Sequence, residues 1–130
     1  MVIDSSALLA IAFQEHEALR MARAISDAPV RRISAVNWLE ALAVAESRHD
    51  ADSSDAVQLL MRELDIEAMA FDLEQMNEAR RAWRRFGKGR HPAGVNLEDC
   101  CAYAAAVTIG EPLLFKGDDF TRTDVAVAEW

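Results

Sequence analysis

Four short apolar runs, the first three each leading into a helix-start signal, constrain this chain more than any other feature. Met1-Val2-Ile3-Asp4, Val30 to Ile33, Ile66 to Phe71 and Pro112 to Phe115 read as strands. Helical spacing fills the intervals. Ser5 or Ser6 is the expected cap of a first helix whose apolar face is Leu8, Leu9, Ile11 and Ala12. A second helix is expected from about Glu17 to Ile25, broken by Asp27-Ala28-Pro29. Ser34 then caps a helix to about Arg48, and Ser53 or Ser54 starts one carrying Val57, Leu60, Met61 and Leu64. Asp72 with Gln75 resembles a capping box for a helix ending at Gly87. After a loop from Gly87 to Gly94, Asn96 caps a helix reaching Ile109, closed by Gly110. Val125 to Val127 is expected to add a short edge strand. Strands alternating with helices imply an α/β fold: a parallel sheet with right-handed crossovers and helices on both faces.

Length and composition narrow the class. At 130 residues the chain is expected to be one domain, 1–130, long enough to bury about two-thirds of its unfolded surface. No apolar stretch approaches the roughly 20 residues needed to span a bilayer, and the first residues lack the features of a signal peptide. The adjacent Cys100 and Cys101 cannot staple distant segments, which suits a reducing cytoplasm. A net charge of −8 argues against a general nucleic-acid-coating protein, which is usually basic.

The acidic residues carry the functional signal. In open parallel sheets ligands bind outside the carboxyl ends of the strands. Asp4 ends the first apolar run, and Asp118 and Asp119 follow the fourth, so these carboxylates meet if the two strands are neighbours. Glu40 and Asp99 each fall in the first turns of a helix and can point to the same end. Four carboxylates around one point repel and raise each other's pKa, a cost that a bound divalent cation removes. The expected ion is Mg2+, with Mn2+ as a substitute, because the available donors are hard oxygens.

These residues sit within recognisable stretches. They are Met1-Val2-Ile3-Asp4-Ser5-Ser6-Ala7-Leu8, Ser34-Ala35-Val36-Asn37-Trp38-Leu39-Glu40, and the loop Phe86 to Gly94. Further on come Asn96-Leu97-Glu98-Asp99-Cys100-Cys101-Ala102-Tyr103-Ala104, then Leu113-Leu114-Phe115-Lys116-Gly117-Asp118-Asp119-Phe120 with Thr123-Asp124. With them the chain resembles the PIN-domain ribonucleases, in particular the VapC-type toxins of bacterial toxin–antitoxin pairs. The resemblance runs the length of the chain. It implies a PIN-like three-layer α/β/α sandwich around a mainly parallel sheet of four to five strands. It implies a magnesium-dependent endoribonuclease that activates water and leaves 5′-phosphate and 3′-hydroxyl ends. It further implies a VapB-type antitoxin as partner, and a homodimer.

Carried over by position, the resemblance makes Asp4, Glu40, Asp99 and Asp119 the catalytic set. Asp4, Asp99, Asp118 and Asp119 are the metal candidates. Asp119, directly before Phe120, is preferred to Asp118 because the family often tolerates a non-acidic residue in the preceding slot. Ser6 matches the hydroxyl that orients the first aspartate or binds a metal-bound water, and it joins the substrate-binding candidates. The family's glycine beside the third aspartate is Glu98 here, which adds a charge next to the site.

Other features divide between function and plain structure. Arg80, Arg81, Arg84, Arg85, Lys88 and Arg90 place six of the fourteen basic residues within eleven positions. They read either as a solvated helix face or as contacts to an RNA backbone, with Arg84, Arg85, Lys88 and Arg90 as the substrate-binding candidates. His91 reads as a loop histidine before Pro92 or as an aid to substrate binding, the cysteines as packing groups, and Trp38 and Trp83 as core or interface residues ahead of base-stacking platforms. Leu8, Ile11 and Phe13 face either a partner or the core. Two other function classes fit less well. Aspartate-dependent phosphoryl transfer wants a second acid two residues after Asp4, where this chain has Ser6. A catalytically silent PIN module used for binding would have no need of acids at all four positions.

Overall fold

The computed structural model describes residues 1–48 and 53–130. Its elements are β1 (Val2–Ile3), α1 (Ser5–Ala12), α2 (Ala18–Asp27), β2 (Arg32–Ser34), α3 (Ala35–Arg48), α4 (Ser53–Glu63), β3 (Glu67–Met69), α5 (Leu73–Phe86), α6 (Leu97–Ile109) and β4 (Leu113–Leu114). The sheet is four-stranded and parallel, in the order β3-β2-β1-β4. Val2 pairs with Leu113 and Ile3 with Leu114, and the Asp4 N–H donates to the Leu114 carbonyl at 2.8 Å. From β1 the chain builds outward through β2 and β3, then returns through β4 to the other side of β1. The β1/β4 boundary is therefore where the strand order reverses, and the crevice at its carboxyl end is where such sheets bind ligands.

Strand residues alternate between two cores. Ile3, Ile33 and Leu114 face a layer built from α1, α2, α3 and α4, whereas Val2, Leu113 and Phe115 face α5 and α6. The result is a three-layer α/β/α sandwich. Leu8 and Ile11 of α1 are buried in the first core, and Phe13 packs against it, so core packing accounts for the apolar face of this helix. Cys100 and Cys101 are buried and unbonded to each other. Burial pushes their thiols up to about 12 and about 11, which makes them inert packing groups.

Local physics moves several expected boundaries. Asp4, not Ser5 or Ser6, is the N-cap of α1: its backbone is extended and its carboxylate accepts from the Ser6 N–H. Asp72 caps α5 as expected, accepting from the Gln75 N–H, but the Gln75 side chain turns to the Ala70 carbonyl and the capping box stays half-made. The strands are shorter than their apolar runs, because ladder pairing covers only two or three residues of each. The expected edge strand at Val125 to Val127 is reduced to a single bridge. Val127 pairs with Leu113, which donates to the Ala126 carbonyl at 2.8 Å and accepts from the Ala128 N–H at 2.9 Å. Gly87 is the C-cap of α5 in an extended conformation, and only glycine fits there because a Cβ would collide with the Trp83 carbonyl and ring. Among the described residues, no helix is long and apolar enough to cross a membrane.

Leu8 is fully buried between α1 and the sheet. Leu8→Ala should lower unfolding stability by about 3 kcal/mol, from lost burial plus the residual cavity. Chemical denaturation reads this directly, and a loss under about 1 kcal/mol would mean that the α1 face is loosely packed.

Candidate active site

The switch-point crevice contains a cavity of about 300 Å³ lined by Asp4, Ser5, Ser6, Glu40, Asp99 and Asp119 together with Glu15, Arg48 and Lys116. A larger hollow of about 690 Å³ lies at the amino end of the strands, beside Met1, Pro112 and Trp130. It is more apolar, and the convergent carboxylates are all in the smaller one.

Asp4 is the innermost of them. It is 3% exposed at the end of the central strand. Its Oδ2 accepts from the Ser6 N–H at 3.0 Å and from the Ser6 hydroxyl at 2.5 Å. The Ser6 hydroxyl in turn accepts from the Lys116 N–H at 3.0 Å, so the loop after β4 is tied to the first aspartate through one side chain. Burial pushes the Asp4 carboxyl up to about 7; the Ser6 contacts pull against this, and Asp99 and Glu40 add to it.

Glu40 reaches the site from α3. Its Oε2 accepts from the Ser5 hydroxyl at 2.7 Å, and burial raises its pKa. Asp99 occupies the third position of α6 and completes a capping box with Asn96, with both hydrogen bonds at 2.7 Å. Burial, Asp119 and Glu40 push Asp99 up to about 6, against the Asn96 N–H. Asp119 thus acts electrostatically on Asp99 and lines the same cavity. Asp118 is exposed and lines a neighbouring hollow with Pro92, Ala93, Asp119, Thr121 and Arg122.

Asn37 joins these pieces. It is fully buried one helical turn before Glu40. Its Nδ2 donates to the Glu98 carbonyl at 3.0 Å and lies 3.4 Å from both Asp4 Oδ1 and Glu40 Oε2. Three oxygens around one end fix the amide orientation, since a flip would set oxygen against oxygen. Among the described residues, Asn37 Oδ1 is buried without a partner.

The basic candidates lie elsewhere. Arg84, Arg85, Lys88 and Arg90 are exposed and line neither the cavity nor the adjoining hollow. Arg85 is engaged by Asp124 at 2.7 Å and stacks 4.6 Å from the Phe86 ring, while the Tyr103 hydroxyl donates to the other Asp124 oxygen at 2.6 Å. His91 packs edge-on against Phe86.

The PIN-domain family model matches residues 1–126. A ribonuclease VapC of Mycolicibacterium smegmatis is 45% identical over 126 residues, which span 97% of this chain and 98% of that protein. The chain is a PIN-domain protein of the VapC group. Ribonuclease VapC30 of Mycobacterium tuberculosis is 40% identical over 97% of this chain and 96% of its own length. Among solved structures, the sarcin-ricin-loop-cleaving toxin VapC20 of Mycobacterium tuberculosis superposes with a TM-score of 0.77 at 13% identity, covering 96% of this chain and 95% of that one. VapBC-1 from nontypeable Haemophilus influenzae gives 0.74 at 16% identity, covering 99% and 96%. At these identities the two structures speak for the fold.

The donor set of this PIN domain fits a hard divalent cation in chemistry, because carboxylate and hydroxyl oxygens converge. Among the described residues, no three acidic, histidine or cysteine side chains close into a ready-made cage. Magnesium does not require one, since it keeps several waters and usually binds one or two carboxylates beside substrate phosphates.

Asp4 supplies a pH test on the metal-free chain. Its folded-state pKa is raised from 3.8 to about 7, so the folded chain retains a proton that the unfolded chain has lost in this window. Its contribution is therefore fully favourable below about pH 4 and declines by roughly 4 kcal/mol as pH rises through 7. Asp4→Asn should gain stability relative to the natural chain across that window, read by denaturation in chelator. A difference that stays flat from pH 4 to 8 would contradict the burial account.

Proposed function

We propose that this chain is a VapC-type toxin: a magnesium-dependent endoribonuclease that hydrolyses RNA phosphodiester bonds, with Mn2+ as a substitute ion. One observation carries the reading: Asp4, Glu40, Asp99 and Asp119 converge at the switch point of a chain whose relatives are named VapC ribonucleases. Asp4, Asp99 and Asp119 would hold the ion, which supplies Lewis acidity, charge neutralisation and an acidified water.

The chain's own residues set up the rest. Ser6 and Asn37 hold the two Asp4 oxygens apart, and Asn96 braces Asp99. Ser5 fixes Glu40, whose raised pKa suits it to accept and release a proton during hydrolysis. The exposed Arg84, Lys88 and Arg90 would contact phosphates flanking the cut, offsetting a net charge of −8. Arg85 would have to leave Asp124 to do the same.

The partner follows from the same kinship. Two solved structures with this fold are toxin–antitoxin complexes, one from Klebsiella pneumoniae and one the Haemophilus VapBC-1. A VapB-type antitoxin, a homodimer and a cytoplasmic location complete the proposal.

Purified free of any partner, the chain should cleave RNA with magnesium and not with chelator, and Asp4→Asn should fall to the no-enzyme background. Arg23→Ala, outside the cavity, should cleave normally. Magnesium at about 100 times its Kd should stabilise the natural chain by about 2.7 kcal/mol and leave Asp4→Asn unmoved. Undiminished cleavage in chelator would sink the metal mechanism.

A further inference from the structure

The cavity also holds a cation placed in an unusual way. Lys116 follows Phe115 directly at the carboxyl end of β4, and its backbone is pinned to Asp4 through the Ser6 hydroxyl. Its side chain does not lie over the carboxylates. It crosses to the turn after α1, where Nζ donates to Glu15 and stands 3.5 Å from Glu17 Oε2. That Glu17 oxygen is shielded from solvent and accepts no hydrogen bond among the described residues, where Lys116 is the cation set against it. Lys116 and Glu15 both line the cavity.

The arrangement solves a specific problem. An ammonium on a flexible four-carbon stem beside four acids would fold onto them and compete with a metal ion. Glu15 and Glu17 hold it at the rim instead. A partly exposed ion pair is weakly held, so an arriving phosphate can replace it. Resting on the nuclease reading above, we propose that Lys116 is a latched phosphate contact. Glu15 and Glu17 restrain its ammonium in the chain alone, and the RNA phosphate entering the cavity takes it over.

Two signatures separate a latch from simple charge repulsion. Each phosphate contact on a single strand contributes about 0.7 to the slope of log K against log salt. Lys116→Gln should therefore bind more weakly with a slope shallower by about that amount. Neutralising the glutamates frees the lysine, so Glu15→Gln with Glu17→Gln should tighten binding several-fold when Lys116 is present, and far less beside Lys116→Gln.

The experiment is fluorescence anisotropy with a labelled mixed-sequence single-stranded RNA in chelator, over a salt series, with strand integrity checked on a gel. If Lys116→Gln fails to fold because Glu17 loses its counter-ion, the triple variant replaces it. Its slope should then be about 0.7 shallower than that of the two-glutamine variant. An unchanged slope, or equal tightening with and without Lys116, overturns the latch. Cleavage assayed in parallel with magnesium distinguishes the failures. A chain that cleaves RNA but shows no coupling loses only the latch, whereas one that neither binds nor cleaves RNA loses the nuclease reading and the latch together.

Discussion

A carboxylate taken out of water at the end of the central strand is the constraint around which the site is arranged. Asp4 is 3% exposed, flanked by β4 on one side and α3 on the other, and burial alone would favour its neutral form. Among the described residues, no basic side chain pairs with it. The chain surrounds Asp4 with neutral donors: the Ser6 N–H and hydroxyl, and the Asn37 amide. Such donors hold the oxygens in place without neutralising them. Glu40 and Asp99 are then brought close enough to raise its pKa further. This is costly for a bare chain and useful for one that binds a cation.

The fold supplies this arrangement through its topology. With β1 between β2 and β4, the residue after β1 and the loop after β4 leave the sheet side by side. The capped start of α6 and the second turn of α3 deliver Asp99 and Glu40 to the same place. One Asn37 side chain then ties the Asp4 and Glu40 carboxylates to the backbone at the start of α6.

Much of this was legible in the sequence, for physical reasons. Apolar runs ended by Asp4 and by Asp118–Asp119 mark strand ends, and Asn96 before Asp99 is a local capping pattern that needs no tertiary knowledge. What could not be read depends on distances between segments. The resemblance prefers Asp119 to Asp118, but as neighbouring acids the two are physically equivalent, and it is the turn after β4 that directs Asp119 into the cavity. Asn37 looks like an ordinary helix residue until its partners from β1 and α6 are in place. The dense basic stretch near α5 drew attention because clustering along the chain is visible. The cations that line the cavity, Lys116 and Arg48, stand apart from it in sequence. The expected fifth strand shrank to the Leu113–Val127 bridge on the open edge of β4, a pairing length that propensity does not report.

Binding of the proposed divalent cation to the raised-pKa carboxylate cluster around Asp4 must displace protons. Magnesium titrations by calorimetry at pH 6.5, repeated in buffers of differing ionisation enthalpy, count those protons. With Asp4 pushed up to about 7 and Asp99 to about 6, the account predicts binding that releases protons, about one per ion, with the release fading towards pH 9. Binding with no proton release at pH 6.5, or no binding by the natural chain, would contradict it.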